Sequence, residues 1–268
     1  MNKINNKTVL VSTSSELKDA LENDNGYEYI YLENDNGYEY IYLENDITLD
    51  SGITVNENKS SVTINGTYQN IMHTLTGMNS VDSSDTIVCI SSSQQIKIKN
   101  IKIIYTNTNG VVYVTEDNSS YNTITIYDNV TFTGTQLSVN PYRVVKIDNS
   151  NITIQSTNNV ESQEVCEAER IIIGGKTNIT SNSTNFSLFY FKEDSVSPYI
   201  VFSCKSNIII STDTREFMSG TNKLNFTILH DISVHLTTGN GFAKLADYGA
   251  NNVLIDEGAS FIFLEKSH

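Results

Sequence analysis

The chain has 268 residues, 38% hydrophobic and 18% charged, and a net charge of −14 from 17 basic and 31 acidic side chains. Phosphate binding needs a surplus of Lys and Arg, so this balance excludes a nucleic-acid partner and an anionic membrane surface. No stretch is long and apolar enough for membrane insertion.

Met1–Lys7 leads only to Val9-Leu10-Val11, too short an apolar run for a signal-peptide core. Export by another route, or excision from a longer protein, is the expectation. Residues 13–23 then read as a helix. Thr13-Ser14-Ser15-Glu16 fits a capping box, and Leu17, Ala20 and Leu21 recur at helical spacing. A stripe that short must be buried on something, and the open end of a solenoid would serve.

An identical tandem duplication spans residues 22–43. Glu22 to Leu32 is repeated from Glu33 to Leu43, a period of 11 residues (33 − 22). Each copy is an Asn-Asp-Asn-Gly turn followed by an alternating Tyr-Glu-Tyr-Ile-Tyr-Leu strand. Strand alternation sends Ile30 and Leu32, or Ile41 and Leu43, to one face. Tyr27, Tyr29 and Tyr31, with Tyr38, Tyr40 and Tyr42 in the second copy, go to the other. The two copies can substitute for one another in a ladder, so register is weakly specified there. Identity without drift indicates recent slippage or an engineered insertion.

From residue 47 onward short β-branched runs alternate with Asn, Asp, Ser or Gly turns. Examples are Ile47-Thr48-Leu49, Val62-Thr63-Ile64, Ile96-Lys97-Ile98, Ile101–Ile104, Ile152-Thr153-Ile154 and Phe261–Leu264. Strands of three to five residues are expected, with no further helix. Ile171–Ile173 and Ile208–Ile210 are continuously apolar, and Asn and Ser at equivalent turns can stack into hydrogen-bond ladders. With 2 Pro, uninterrupted ladders are feasible. The pattern favours an all-β parallel solenoid over a sandwich, as one domain over residues 1–268.

The opening segments Val11–Leu21 and Tyr42–Leu49 resemble the pectate-lyase-like adhesive proteins of Gram-positive bacteria. So do Val62–Thr67, His73-Thr74-Leu75, Thr133–Gln136, Asn140-Pro141-Tyr142, Ile173–Ile179, Arg215–Met218, Leu236–Gly241 and Val253–Glu257. That family shows one copy of the first strand, so the duplication is a departure. The resemblance implies a right-handed parallel β-helix with a short N-terminal capping helix. It also implies an adhesive role at a bacterial cell surface or outside the cell.

A lyase would need clustered carboxylates for Ca²⁺ and an Arg or Lys base. The acidic neighbours of the arginines are Asp148, Glu164, Glu167, Glu169, Asp213 and Glu216, and none repeats at rung spacing. They read as turn charges or ion pairs, so no catalytic residue is assigned. His73, His230, His235 and His268 lack ligand spacing, so no metal site is assigned. No cofactor is expected, with Ca²⁺ the ion the lyase alternative would require. Gly174-Gly175-Lys176-Thr177 reads as a turn between rungs. Cys89, Cys166 and Cys204 are scattered and read as buried free thiols.

The candidate binding residues are therefore Tyr27, Tyr29, Tyr31, Tyr38, Tyr40 and Tyr42, with Tyr105, Tyr113, Tyr121, Tyr127 and Tyr142 as further candidates for a Tyr-rich surface. The reading is a non-catalytic adhesive or structural β-helix of a cell or spore surface. Its partners would be cell-surface or matrix glycans or proteins. Self-assembly through uncapped rung ends is a variant. A polysaccharide-active, Ca²⁺-dependent lyase is the alternative from a different class.

Overall fold

A computed structural model of the chain describes residues 2–5, 8–23, 40–77, 85–90, 93–115, 123–155, 163–183, 186–192, 198–203, 207–212, 216–220, 225–238 and 252–265. The backbone winds as a parallel β-solenoid with three strand ladders, here called faces A, B and C in chain order. Alternation along each strand puts every second side chain inside, and the register stacks these into columns. On face A the inward column runs Val9, Ile41, Ile64, Ile98, Tyr127, Ile147, Ile173, Phe202, Ile228 and Ile255. Face B stacks Ile47, Leu75, Ile103, Phe132, Ile152, Ile179, Ile210 and Leu236. Face C stacks Ile53, Ile87, Val112, Ser138, Cys166, Phe189 and Met218.

Most strands have the expected three to five residues, but some run on across a corner. Gln95–Tyr105 and Ile124–Gly134 each run 11 residues across the corner from face A to face B. One residue in left-handed conformation makes that corner: Asn100 at φ 51°, Asn129 at 55°, Asn149 at 50° and Gly175 at 60°. Asn tolerates this region because its short side chain bonds locally. The side chains also stack. Asn129 Nδ2 donates to Asn100 Oδ1 (2.9 Å), and Asn100 Nδ2 donates to Asn65 Oδ1 (3.2 Å). The asparagine ladder anticipated at the turns is thus realised at this corner. Gly174–Thr177, expected as a turn between rungs, is instead the face A-to-face B corner within one rung, with Thr177 Oγ1 donating to the Gly174 carbonyl.

The helix spans Ser14–Glu22 with Thr13 as N-cap, whose Oγ1 accepts from Glu16 N at 3.2 Å. The reciprocal bond is displaced by one residue: Glu16 Oε2 accepts from Ser12 N (2.8 Å). Leu17, Ala20 and Leu21 are fully buried against the first rungs. Asn2–Asn5 adds an antiparallel strand on Thr8–Val11, a feature absent from the sequence reading. Helix and hairpin together cover the N-terminal end of the stack.

The second copy of the repeat supplies the face A strand Tyr40–Leu43, paired between Thr8–Val11 and Ser61–Asn65. Ile41 and Leu43 point inward as expected, fully buried. Ile30, Leu32 and the first-copy tyrosines lie outside the described residues. The continuously apolar runs Ile171–Ile173 and Ile208–Ile210 are not buried on both sides. Ile172 is half-buried and Ile209 is 48% exposed. The solenoid has one interior, so a fully apolar strand still turns every second residue outward.

Candidate functional site

The structure divides the tyrosines. Tyr40 is exposed and Tyr42 half-buried on the outside of face A, at its N-terminal end. Tyr27, Tyr29, Tyr31, Tyr38 and Tyr121 lie outside the described residues. Tyr105 and Tyr127 do not belong to the surface; both are fully buried. Tyr127 occupies the inward column between Ile98 and Ile147, and its hydroxyl donates to the Leu137 carbonyl at 3.1 Å. Tyr105 lies between Gly77 and Gly134 in a stack whose glycines leave room for its ring. A Cβ on Gly77 would come within 2.5 Å of that ring. Its hydroxyl donates to the Asp85 carbonyl. Burial pushes both phenols well above their ordinary titration range.

An outward column on face C assembles residues far apart in sequence. Val88, Tyr113, Val139, Glu167 and Tyr190 follow one another on successive rungs. Tyr113, Glu167 and Tyr190 are half-buried, and Val139 between them is buried. Where face C turns into face A, the ladder breaks register between Asn140 and Val144, around Pro141. Proline cannot donate to a ladder, so a register break is where it fits. Inside that corner Asn140 Nδ2 donates to the Thr123 carbonyl (3.0 Å) and the Val144 carbonyl (3.2 Å).

At the same corner two arginines converge on the buried carboxylate of Glu169. Arg143 Nη1 donates to Glu169 Oε2 at 3.0 Å, and Arg170 Nε lies 3.8 Å from the same oxygen. Arg170 also stacks over the Tyr199 ring, 5.5 Å from its centroid. Rung spacing makes the stack, since Arg170 and Tyr199 are register partners. The sequence reading took these charges as turn charges or ion pairs, and Arg143, Glu169 and Arg170 form ion pairs. It missed Tyr190 and Tyr199, which are separated from Arg170 by whole rungs. The turn-to-strand rhythm was the available signal, but rung lengths vary too much to align them by counting.

This corner has more guanidinium than carboxylate, the inverse of a Ca²⁺ site. No group of three or more His, Cys, Asp or Glu able to hold a metal occurs among the described residues. His73 contacts Asp46 (3.6 Å), His230 contacts Asp256 (3.7 Å) and His235 contacts Ser233 (3.1 Å), so these three do not converge. On face A, Lys97 pairs with Asp128 (3.0 Å) and Lys146 with Asp148 (2.9 Å). Burial raises the Asp128 carboxyl, but hydrogen bonds from Lys97 and Asn149 and the Lys97 charge outweigh it, holding the group below its usual range.

At the opposite edge of face C, Glu164 is buried at the corner from face B. Burial and then the nearby Glu167 charge push its carboxyl up to about 7. Burial pushes the Cys89 thiol up to about 12, and Cys166 is raised for the same reason. Neither thiol is a nucleophile in that state.

Residues 34–139 match the family model described as "putative pectate lyase-like adhesive domain". The resemblance read from the sequence is borne out over that segment. No curated protein matches the chain by sequence. Among solved structures, L. reuteri 53608 SRRP aligns with a TM-score of 0.60 at 16% identity, covering 96% of this chain and 99% of that one. The L. reuteri 100-23 SRRP aligns at 0.61 and 13% identity, covering 99% and 98%. At these identities the likeness is one of fold, and it extends along nearly the whole chain.

Proposed function

We propose that the chain acts as a single non-catalytic adhesive domain displayed at a bacterial cell surface, binding a glycan or protein partner through its tyrosine-bearing faces. The observation that carries this reading is the face C column Tyr113–Glu167–Tyr190 beside the Arg143–Glu169–Arg170–Tyr199 corner. Half-buried aromatic rings and stacked guanidinium are the side chains that anchor recognition. A uronate lyase would instead pair clustered carboxylates with an unpaired base, whereas here Glu169 is shared between two guanidiniums. Tyr40 and Tyr42 add aromatic side chains on the outside of face A, toward the N-terminal end.

The test is binding of the intact chain to arrays of glycans and matrix proteins, with Tyr113→Ala and Tyr190→Ala as probes. Loss of the strongest partner in either variant, with the fold intact, supports the reading. Release of unsaturated product from polygalacturonate with Ca²⁺ would sink it.

Self-association is a second reading, favoured by one observation. Val253 and Ile255 stack in register on the buried Phe226 and Ile228, yet are 54% and 46% exposed. Residues at core positions of a solenoid rung are stabilised by a further rung. Concentration-dependent growth in sedimentation velocity supports this variant, and a monomer at all concentrations removes it.

A further inference from the structure

The outside of face B carries a different surface. On three consecutive rungs, Ile124–Gly134, Asn151–Ile154 and Lys176–Ser181, the outward pairs are Thr131 and Thr133, Asn151 and Thr153, and Asn178 and Thr180. The register is continuous through all three. Phe132, Ile152 and Ile179 lie between them, buried to 0–1% exposure, and fix the backbone from within. The six polar side chains are exposed or half-buried. Asn178 Nδ2 donates to Asn151 Oδ1 (2.9 Å), and Thr180 Oγ1 donates to Thr153 Oγ1 (3.2 Å).

Each of these groups both donates and accepts, and the pairs repeat at the strand spacing of about 4.8 Å along the solenoid axis. None is charged, in a chain of net charge −14. In the same columns Lys102 and Ile104 stand one rung before the array, and Ile209 one rung after it. Ile104 and Ile209 are 49% and 48% exposed. The array is thus a neutral, pre-ordered hydrogen-bonding strip three rungs long, with an apolar side chain at each end.

We infer that this strip binds a neutral, extended polysaccharide lying along the solenoid axis, one sugar per rung. An extended β-1,4-linked hexopyranose chain advances by nearly the rung spacing. It presents hydroxyls that both donate and accept, and apolar C–H faces for Ile104 and Ile209. The six groups offer a polyanion no charge to pair with. The cations nearest them in register are Lys176, at the start of the third strand, and Lys102, one rung before, against a net charge of −14 that repels a polyanion from the chain as a whole. Protein interfaces concentrate their energy in Trp, Tyr and Arg anchors, and the strip has none. Ordering by the rung-to-rung bonds lowers the entropy lost on binding. The site is separate from the tyrosine-bearing face C.

The experiment is calorimetric titration of the intact chain with cellohexaose, cellotriose and hexagalacturonate. Binding of cellohexaose, weaker binding of cellotriose, which is too short to reach both isoleucines, and much weaker binding of hexagalacturonate are expected. Replacing Thr133, Thr153 and Thr180 together by Val keeps shape and strand preference. It should weaken cellohexaose binding about tenfold, as removal of several modest hydrogen bonds does. Asn178→Ala is the second variant should the triple one fail to fold, and it should weaken binding severalfold. Thr54→Ala, exposed on the outside of face C, should leave cellohexaose binding unchanged. No binding of cellohexaose, full binding by the triple variant, or an equal loss in Thr54→Ala would each overturn the inference.

Discussion

Replacing Glu164 by Gln should change how stability depends on pH, because this buried carboxyl titrates far from its ordinary value. In the folded chain it is pushed up to about 7 from 4.5, by burial first and the Glu167 charge second. Between those values the folded state holds more protons than the unfolded one. The stabilisation is therefore complete below about pH 4.5, falls as pH rises toward about 7, and stays lost above it. At ~1.36 kcal/mol per pH unit, the span amounts to about 3 kcal/mol as an upper bound. Gln mimics the protonated acid and cannot ionise. Wild type and Glu164→Gln should match near pH 4.5 and diverge toward neutrality, with the variant the more stable. Other titrating carboxylates, such as Asp128, are common to both proteins and cancel in the difference. Denaturant melts followed by tyrosine fluorescence at several pH values measure it. A difference that stays constant from pH 4.5 to 7.5 would refute the burial argument.

Removing Glu33–Leu43 produces the same sequence as removing Glu22–Leu32, so one Tyr-Ile-Tyr-Leu strand always remains to pair with Thr8–Val11 and Ser61–Asn65. Circular dichroism and solubility should be retained, and failure to obtain folded protein would count against interchangeable copies. Gly134→Ala should destabilise by about 1–3 kcal/mol, since its Cβ would collide with the Tyr105 backbone and crowd the Phe132 ring; an unchanged melting temperature would contradict the stacking described. Asn129→Ala should cost about 1–2 kcal/mol by placing Ala in the left-handed region. Asn129→Gly should cost less, because glycine adopts that conformation freely. Equal losses in the two variants would mean that the side-chain ladder, and not the backbone conformation, carries the corner.

The sequence by itself determined the local rules of this protein. Thr13 and Glu16 announce a helix start, and Leu17, Ala20 and Leu21 its buried stripe. Ile41 and Leu43 alternate with tyrosines, and short β-branched runs broken by Asn specify strands joined at tight corners. These are near-neighbour effects, carried by spacings of two to four residues. The tertiary structure alone decided which distant residues share a rung position. Rungs differ in length: Ile98 to Tyr127 is 29 residues, Tyr127 to Ile147 is 20 and Ile147 to Ile173 is 26. Counting along the chain therefore could not bring Tyr113, Glu167 and Tyr190 together, or Arg170 onto Tyr199. It could not show that Tyr105 and Tyr127 turn inward either, because a phenol suits a wet face or a dry one. Room left by Gly77 and Gly134, and carbonyls at Asp85 and Leu137 within reach, made the interior the lower-energy place for those two rings.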